Sequence, residues 1–403
     1  MKSATEQLAL IRRGVDQITP LDEFVKKLER SVATGKPLRV KYGIDPTGTD
    51  VHLGHTVPLR KLRLFQELGH KAVLIIGEAT AMVGDPSGRD KSRTGLSREQ
   101  IAANAKDYLA QIGRVIDLGA AEVCSNGDWF LRYGLTEVIR LTQAYSVQQM
   151  MEREDFTKRR NAGEPVYLSE CLYPLMQGQD SVEIRADVEL GGSEQLFNLM
   201  VGRYLQTRDG QEPQVCLTLP ILRGLDGERR MGKSIGNYVG VGMAAQEQFD
   251  RTMSIPDTLL REWFDLLTDR DPAEVEQLSA GNPFEAKKQL AADIVRFYHG
   301  ADAAKAARAE WERTKSQKQD PTEIPEVDLP SSALDGGKLA AFKLLVALGM
   351  APSNNEARRL VQGGSMTVGP DRAKVADPNG PIEVTAGLIV RVGNRRIARV
   401  RLV

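Results

Sequence analysis

The run Lys71-Ala-Val-Leu-Ile-Ile76 is apolar at every position after its lysine. A strand with one wet face alternates apolar and polar side chains; a strand that does not alternate is buried on both faces, as in the middle of a parallel sheet. A parallel neighbour requires a crossover, and the chain supplies one just upstream. Residues 38–44 (LRVKYGI) read as a strand, and over 52–68 apolar residues recur at helical spacing (Val57, Leu62, Phe65, Leu68). Strand, helix, strand in so short a span is a βαβ unit, which predicts a doubly wound α/β domain.

The remaining pattern divides the chain. Residues 20–34 read as a helix capped by Thr19 and ended by Gly35, and 98–116 as another. Residues 135–160 are charged and mostly helical in pattern. The segment QVCLTLPIL (214–222) is a further strand, followed by a glycine-rich, charged loop over 223–242. Helical spacing returns over 244–313, broken at Pro256, Pro272 and Pro283. The acidic, proline-rich stretch 317–336 has no periodicity and reads as a linker. Four pieces are therefore expected: an α/β domain over 1–242, a helical domain over 243–316, the linker, and a small α/β module over 337–403.

The formal charge is zero, yet from Lys338 to Arg401 eleven Lys/Arg stand against four acids, a net of +7, leaving −7 on the rest. A basic terminal module on an acidic body predicts a polyanionic partner there. Cys124, Cys171 and Cys216 have no close cysteine or histidine, which argues against a metal site or disulfide framework and fits a reducing, cytoplasmic setting. The first residues lack an apolar signal core, and no apolar run approaches the roughly 20 residues of a membrane helix, so no membrane partner is expected.

The densest chemistry lies in GIDPTGTDVHLGH, where a strand runs into a polar turn and then into a helix opened by His52 and His55, two of the chain's four histidines. A helix start offers unpaired N–H groups and a positive dipole end, which suits a polyphosphate. His52-Leu53-Gly54-His55 resembles the HIGH signature of class I aminoacyl-tRNA synthetases. Arg230-Met231-Gly232-Lys233-Ser234 resembles their second, lysine-rich signature, with arginine in its first position. The resemblance implies a Rossmann-like catalytic domain over 1–242 in which the two signatures clamp ATP from opposite sides. Thr47, His52 and His55 would contact phosphate and ribose. Arg230, Lys233 and Ser234, on a mobile loop over 226–242, would close on the pyrophosphate with Arg89 and Arg93. Asp45, Gly54, Gly192 and Glu194 would complete the ATP site, with Mg2+ accompanying ATP and no metal bound by the protein itself. Residues 227–234 also match the P-loop pattern GxxxxGK[ST], but IGNYVGVG follows, with no helical stripe to form the phosphate cradle.

Tyr173, Gln177 and Asp180 fall at i, i+4 and i+7, on one face of a helix. This stripe resembles that of the tyrosyl-tRNA synthetase family, bacterial branch. Tyr173 and Gln177, with Thr80 and Asp85, would then hold the substrate ammonium and Asp180 the phenolic hydroxyl. Gln195, in GGSEQLFN, would lie near the carboxylate and Glu194 at the ribose. A buried acceptor such as Asp180 disfavours phenylalanine, which would leave it unpaired. The tryptophanyl branch shares fold and signatures, but Asp180 and Asp85 speak against an indole. The last module resembles an RNA-binding domain shared with a small-subunit ribosomal protein, implying phosphate contacts from Arg358, Arg359, Arg391, Arg395 and Arg396. The whole resemblance implies tyrosine, ATP and tRNA(Tyr) as partners, 243–316 on the anticodon side, and a homodimer. Three positions depart from the family pattern: Lys41 stands where a strand tyrosine is usual, Glu194 replaces aspartate, and Arg230 replaces lysine.

Overall fold

Six strands form the larger sheet: β1 (Gln17–Thr19), β2 (Arg39–Ile44), β3 (Lys71–Ile76), β4 (Glu122–Ser125), β5 (Val188–Gly192) and β6 (Val215–Leu219), in the order β1-β6-β5-β2-β3-β4. All neighbours are parallel except the short edge strand β1, which runs antiparallel to β6. The predicted βαβ unit is β2, the helix Leu53–Glu67 and β3. From β2 the chain winds outward through β3 and β4, and β5 and β6 then build the other half. The loops leaving β2 and β5 therefore diverge and open a crevice at the carboxyl ends of these two strands.

These strands belong to a computed structural model that describes every residue except 49, 88–96, 318 and 394–395. The chain divides into two units, Met1–Arg308 and Ala309–Val403. In the first, Val40, Leu74, Val188 and Leu217 of the sheet share one core with Leu59, Leu62 and Phe65 of the Leu53–Glu67 helix. Leu259, Trp263, Phe264, Leu290 and Ile294 join that same core. Of the stretch expected to be a helical domain, residues 243–308 fall in the first unit, where their apolar stripes close on the sheet's own helix layer, and 309–316 fall in the second.

The second unit holds β7 (Glu326–Leu329), β8 (Lys338–Ala340), β9 (Met366–Val368), β10 (Ala373–Val375), β11 (Pro381–Glu383), β12 (Ile389–Val392) and β13 (Arg396–Leu402). Five of these form a sheet in the order β10-β9-β12-β13-β7. Its edge strand β7 lies inside the stretch read as a linker and pairs in parallel with β13. Period-two alternation explains the difference: Leu329 is buried in the unit's core, while Asp328 faces Arg401. Among the described residues no helix is long and apolar enough to cross a membrane.

Candidate active site

The segment that follows the second signature bonds to the backbone of the first. Leu53 N donates to Val239 O at 2.9 Å and Val241 N to Val51 O at 2.8 Å, with His52 opposite Gly240 in an antiparallel bridge. The chain that follows Lys233 therefore clasps the strand-to-helix turn carrying His52 and His55. The two imidazoles stack with centroids 3.7 Å apart. Burial pushes both down, His52 to about 2 with help from His55 and Lys233, and His55 to about 4 with help from Lys233. Both rings are neutral at pH 7 and offer hydrogen bonds rather than charge. His52 Nδ1 has no side-chain partner among the described residues. Gly54 lets the His52 ring lie close to the backbone, since a Cβ there would stand 3.0 Å from His52 Cε1 and press on the ring.

A cavity of about 430 Å³ is lined by His52, Gly54, His55, Glu194, Arg230 and Ser234, with Leu222, Met231 and Ile235 as an apolar wall. Lys233 places its Nζ 3.9 Å from Asp50 Oδ2 and 5.9 Å from the centre of the Tyr108 ring. No helix follows Ser234, so the P-loop alternative fails on geometry. Arg89 and Arg93 lie outside the described residues.

A second cavity, of about 240 Å³, shares Tyr42, His55, Gly192 and Glu194 with the first. Asp45, Thr47, Thr80, Asp85, Gln195 and the stripe Tyr173–Gln177–Asp180 of the Leu168–Glu183 helix line the rest. Tyr173 donates its hydroxyl to Asp45 Oδ2 at 2.9 Å, and Thr80 Oγ1 donates to the other oxygen at 2.8 Å. Asp85 accepts from Gln195 Nε2 and from Ser87 N, both at 2.9 Å. Burial raises the Glu194 carboxyl above its ordinary range. Asp180, only 3% exposed, accepts from Trp129 Nε1 at 3.0 Å and Asn126 Nδ2 at 3.3 Å. Its burial pushes the carboxyl up to about 7 against the opposing pull of Lys41.

Lys41 does not act as a substitute for the strand hydroxyl. Fully buried, it donates to Gln177 O at 2.7 Å, Ser181 Oγ at 2.8 Å and Glu189 Oε1 at 2.8 Å, which uses all three ammonium hydrogens behind the helix. The groups that meet Asp180 come from the 126–129 segment instead. Sequence reasoning missed Asn126 and Trp129, and it also missed Arg153 and Asn198, which reach the site from other elements. The signals were faint: Trp129 is one of three tryptophans, and Asn198 ends the GGSEQLFN turn.

In the second unit, Arg359 is exposed beside Glu356, and Arg358 lies over the Phe342 ring at 3.9 Å. Arg391 departs from expectation. It is 5% exposed, bonded to both oxygens of Asp320 and to Gly369 O, so it braces the fold instead of facing a phosphate. Arg396 likewise spends Nη1 on Met350 O. Arg395 lies outside the described residues.

The family model for class I tRNA synthetases (W and Y) matches residues 33–314. The chain belongs to this family. As a class I synthetase it is 47% identical, over 99% of its length and 98% of the relative's, to a tyrosine–tRNA ligase of Symbiobacterium thermophilum. It is likewise 47% identical to that of Aquifex aeolicus, over 98% of each chain. Tyrosyl-tRNA synthetases solved from Archaeoglobus fulgidus, with L-tyrosine, and from Aspergillus nidulans mitochondria share this synthetase's fold. Their TM-scores are 0.61 and 0.62 at 22% identity, over 76% and 78% of this chain and 99% and 94% of theirs.

Proposed function

We propose that the chain is a tyrosine–tRNA ligase: it activates L-tyrosine with ATP and esterifies it to the terminal adenosine of tRNA(Tyr). One observation carries the reading. A buried carboxylate, Asp180, ends a cavity that shares its walls with the cavity of both synthetase signatures. The amino acid then lies with its phenol at Asp180, its ammonium among Asp85, Tyr173 and Gln177, and its carboxylate turned toward ATP.

In the first step a tyrosine carboxylate oxygen attacks the α-phosphorus of ATP, an O–P bond forms, and pyrophosphate leaves with its bonding pair. The nucleophile is already ionised at pH 7, so no general base is required. The chain supplies in-line positioning and cations where charge develops, with His52, His55 and Thr47 on phosphate and ribose and Arg230, Lys233 and Ser234 closing on the pyrophosphate. ATP enters with its Mg2+, which shares the polyphosphate charge. In the second step a ribose hydroxyl of the terminal adenosine attacks the tyrosyl carbonyl, the acyl C–O bond to phosphate breaks, and AMP leaves with the bonding pair as the hydroxyl proton passes to its phosphate. Arg358 and Arg359 meet tRNA phosphates, and the helices after Ala245 meet its anticodon side. The unpaired Cys124, Cys171 and Cys216 fit work in the reducing cytoplasm.

The test is amino-acid-dependent ATP–pyrophosphate exchange. Tyrosine should support it, with phenylalanine and tryptophan at least about a thousandfold weaker in kcat/KM, because neither brings the hydroxyl donor that completes the acceptor set of the buried Asp180. Equal exchange with tryptophan would sink the tyrosine assignment.

The chain works as a homodimer on this reading. The helix Leu135–Thr142 leaves Leu135, Val138 and Ile139 exposed on one face. Such a patch calls for a partner, and a second copy is the one always present. Sedimentation equilibrium at micromolar concentration should give twice the 44.4 kDa chain mass. A mass of one chain would overturn the dimer.

A further inference from the structure

Asn198 and Arg153 lie behind the two glutamines of the amino acid cavity, and their bonds leave one consistent direction. Arg153, 4% exposed, donates through Nη1 to Asn198 Oδ1, through Nη2 to Ser87 Oγ at 3.0 Å, and to both oxygens of Asp155. A guanidinium has donors only. The Asn198 oxygen must therefore face Arg153, and its NH2 must face away. That NH2 meets Gln177 Oε1 and Gln195 Oε1, each at 2.9 Å. Both glutamines are thereby fixed with their oxygens toward Asn198 and their nitrogens toward carboxylates: Gln177 Nε2 on Glu189 at 3.1 Å and Gln195 Nε2 on Asp85 at 2.9 Å. Carboxylates only accept, so the relay closes without a mismatched pair.

We propose that Arg153 and Asn198 are positioning residues that lock both amides: the Gln177 oxygen is held as an acceptor for the substrate's α-ammonium, and the Gln195 nitrogen is held on Asp85, the carboxylate that meets the same ammonium. An amide oxygen has two lone pairs, and Asn198 uses one on each. With Asp85, both glutamines line the amino acid cavity. An ammonium has three donors and no acceptor, and a flipped amide would meet it donor to donor. The relay rests on the tyrosine reading above, since it assigns the site's ammonium end and nothing else.

Asn198→Asp and Asn198→Ala separate this role from packing. Aspartate fills the same volume but has no NH2, so it faces two amide oxygens with more oxygen; alanine leaves both amides free to choose. If Asn198 only packed, alanine would be the worse variant. The relay reverses that order. In exchange assays on the full chain, the KM for tyrosine should rise about tenfold or more for Asn198→Asp and about threefold for Asn198→Ala, with the ATP KM within about twofold of wild type. Arg153→Lys and Arg153→Gln repeat the comparison from the other end. Lysine only donates and should hold the tyrosine KM within about threefold, whereas glutamine, which also accepts, should raise it about tenfold. Alanine equal to or worse than aspartate at 198, or equal values for the two Arg153 variants, would overturn the relay while wild-type tyrosine exchange still stood. Failure of wild-type exchange with tyrosine would overturn the reading beneath it.

Discussion

Lys233→Ala is expected to slow single-turnover formation of tyrosyl-adenylate by about 10²–10³-fold, on the order of 3–4 kcal/mol, with the Kd for tyrosine within about twofold of wild type. The expectation follows from where the ammonium stands. Lys233 is held 3.9 Å from Asp50, while the chain after it bonds back onto Val51 and Leu53. Its burial lowers the pKa and Asp50 opposes that shift. A cation in this place meets little of the neutral amino acid zwitterion but faces the phosphates that gain charge as pyrophosphate departs. Its contribution is concentrated in the transition state, so the rate falls and ground-state tyrosine binding does not. The neutral His52 and His55 cannot supply the missing charge. Rapid-quench measurement of pyrophosphate release at saturating substrates reads the effect directly, and an unchanged rate would remove Lys233 from the pyrophosphate clamp.

The parts of this fold that read clearly in sequence are those whose residues repeat at short range. β3 is buried on nearly every position of both faces, so its composition alone marks it as a central parallel strand, and β6 reads as a strand from its apolar run. The stripe Tyr173–Gln177–Asp180 was visible because helical geometry puts the three on one face, and the structure brings all three to the second cavity. What escaped is long-range. β1 is three residues on an edge, and β7 hides between prolines, its alternation too short to stand out. Trp129 meets Asp180 across 51 positions and Arg153 meets Asn198 across 45, with no periodic signal at either end. Arg391 illustrates the opposite error. In a basic hairpin it reads as a phosphate contact, until Asp320, 71 positions earlier, folds onto it and neutralises it. The Lys41 departure had the same cause, because its partner Glu189 belongs to a neighbouring strand that only the sheet register brings alongside.

Asp180→Asn should lower kcat/KM for tyrosine by about 10³-fold, about 4 kcal/mol, mostly through the tyrosine KM, and leave the ATP KM within about twofold. Two donors, Trp129 Nε1 and Asn126 Nδ2, already converge on this carboxylate. A phenol hydroxyl adds a third donor, which an ionised carboxylate accepts. An asparagine offers one oxygen and places its own NH2 among donors. Phenylalanine brings no donor to either side chain, so the variant should also narrow the preference for tyrosine over phenylalanine. The pH dependence gives an independent check. Burial holds the Asp180 pKa near 7 in the free protein, above the roughly 4 of an unfolded chain. The phenol favours the ionised form, so wild-type affinity for tyrosine should rise from pH 6 to pH 8 and then level, and the variant's should stay flat over that interval. For stability the sign is opposite. The folded state holds this proton more tightly than the unfolded chain, so its contribution is present at low pH and is lost as pH rises through about 4 to 7. Asparagine removes that loss, and at pH 8 without tyrosine the variant should melt no lower than wild type. A variant that binds tyrosine poorly yet melts at or above the wild-type temperature places Asp180 in recognition, at a cost to folding. One that melts lower and recovers tyrosine affinity when stabilised would return it to the core.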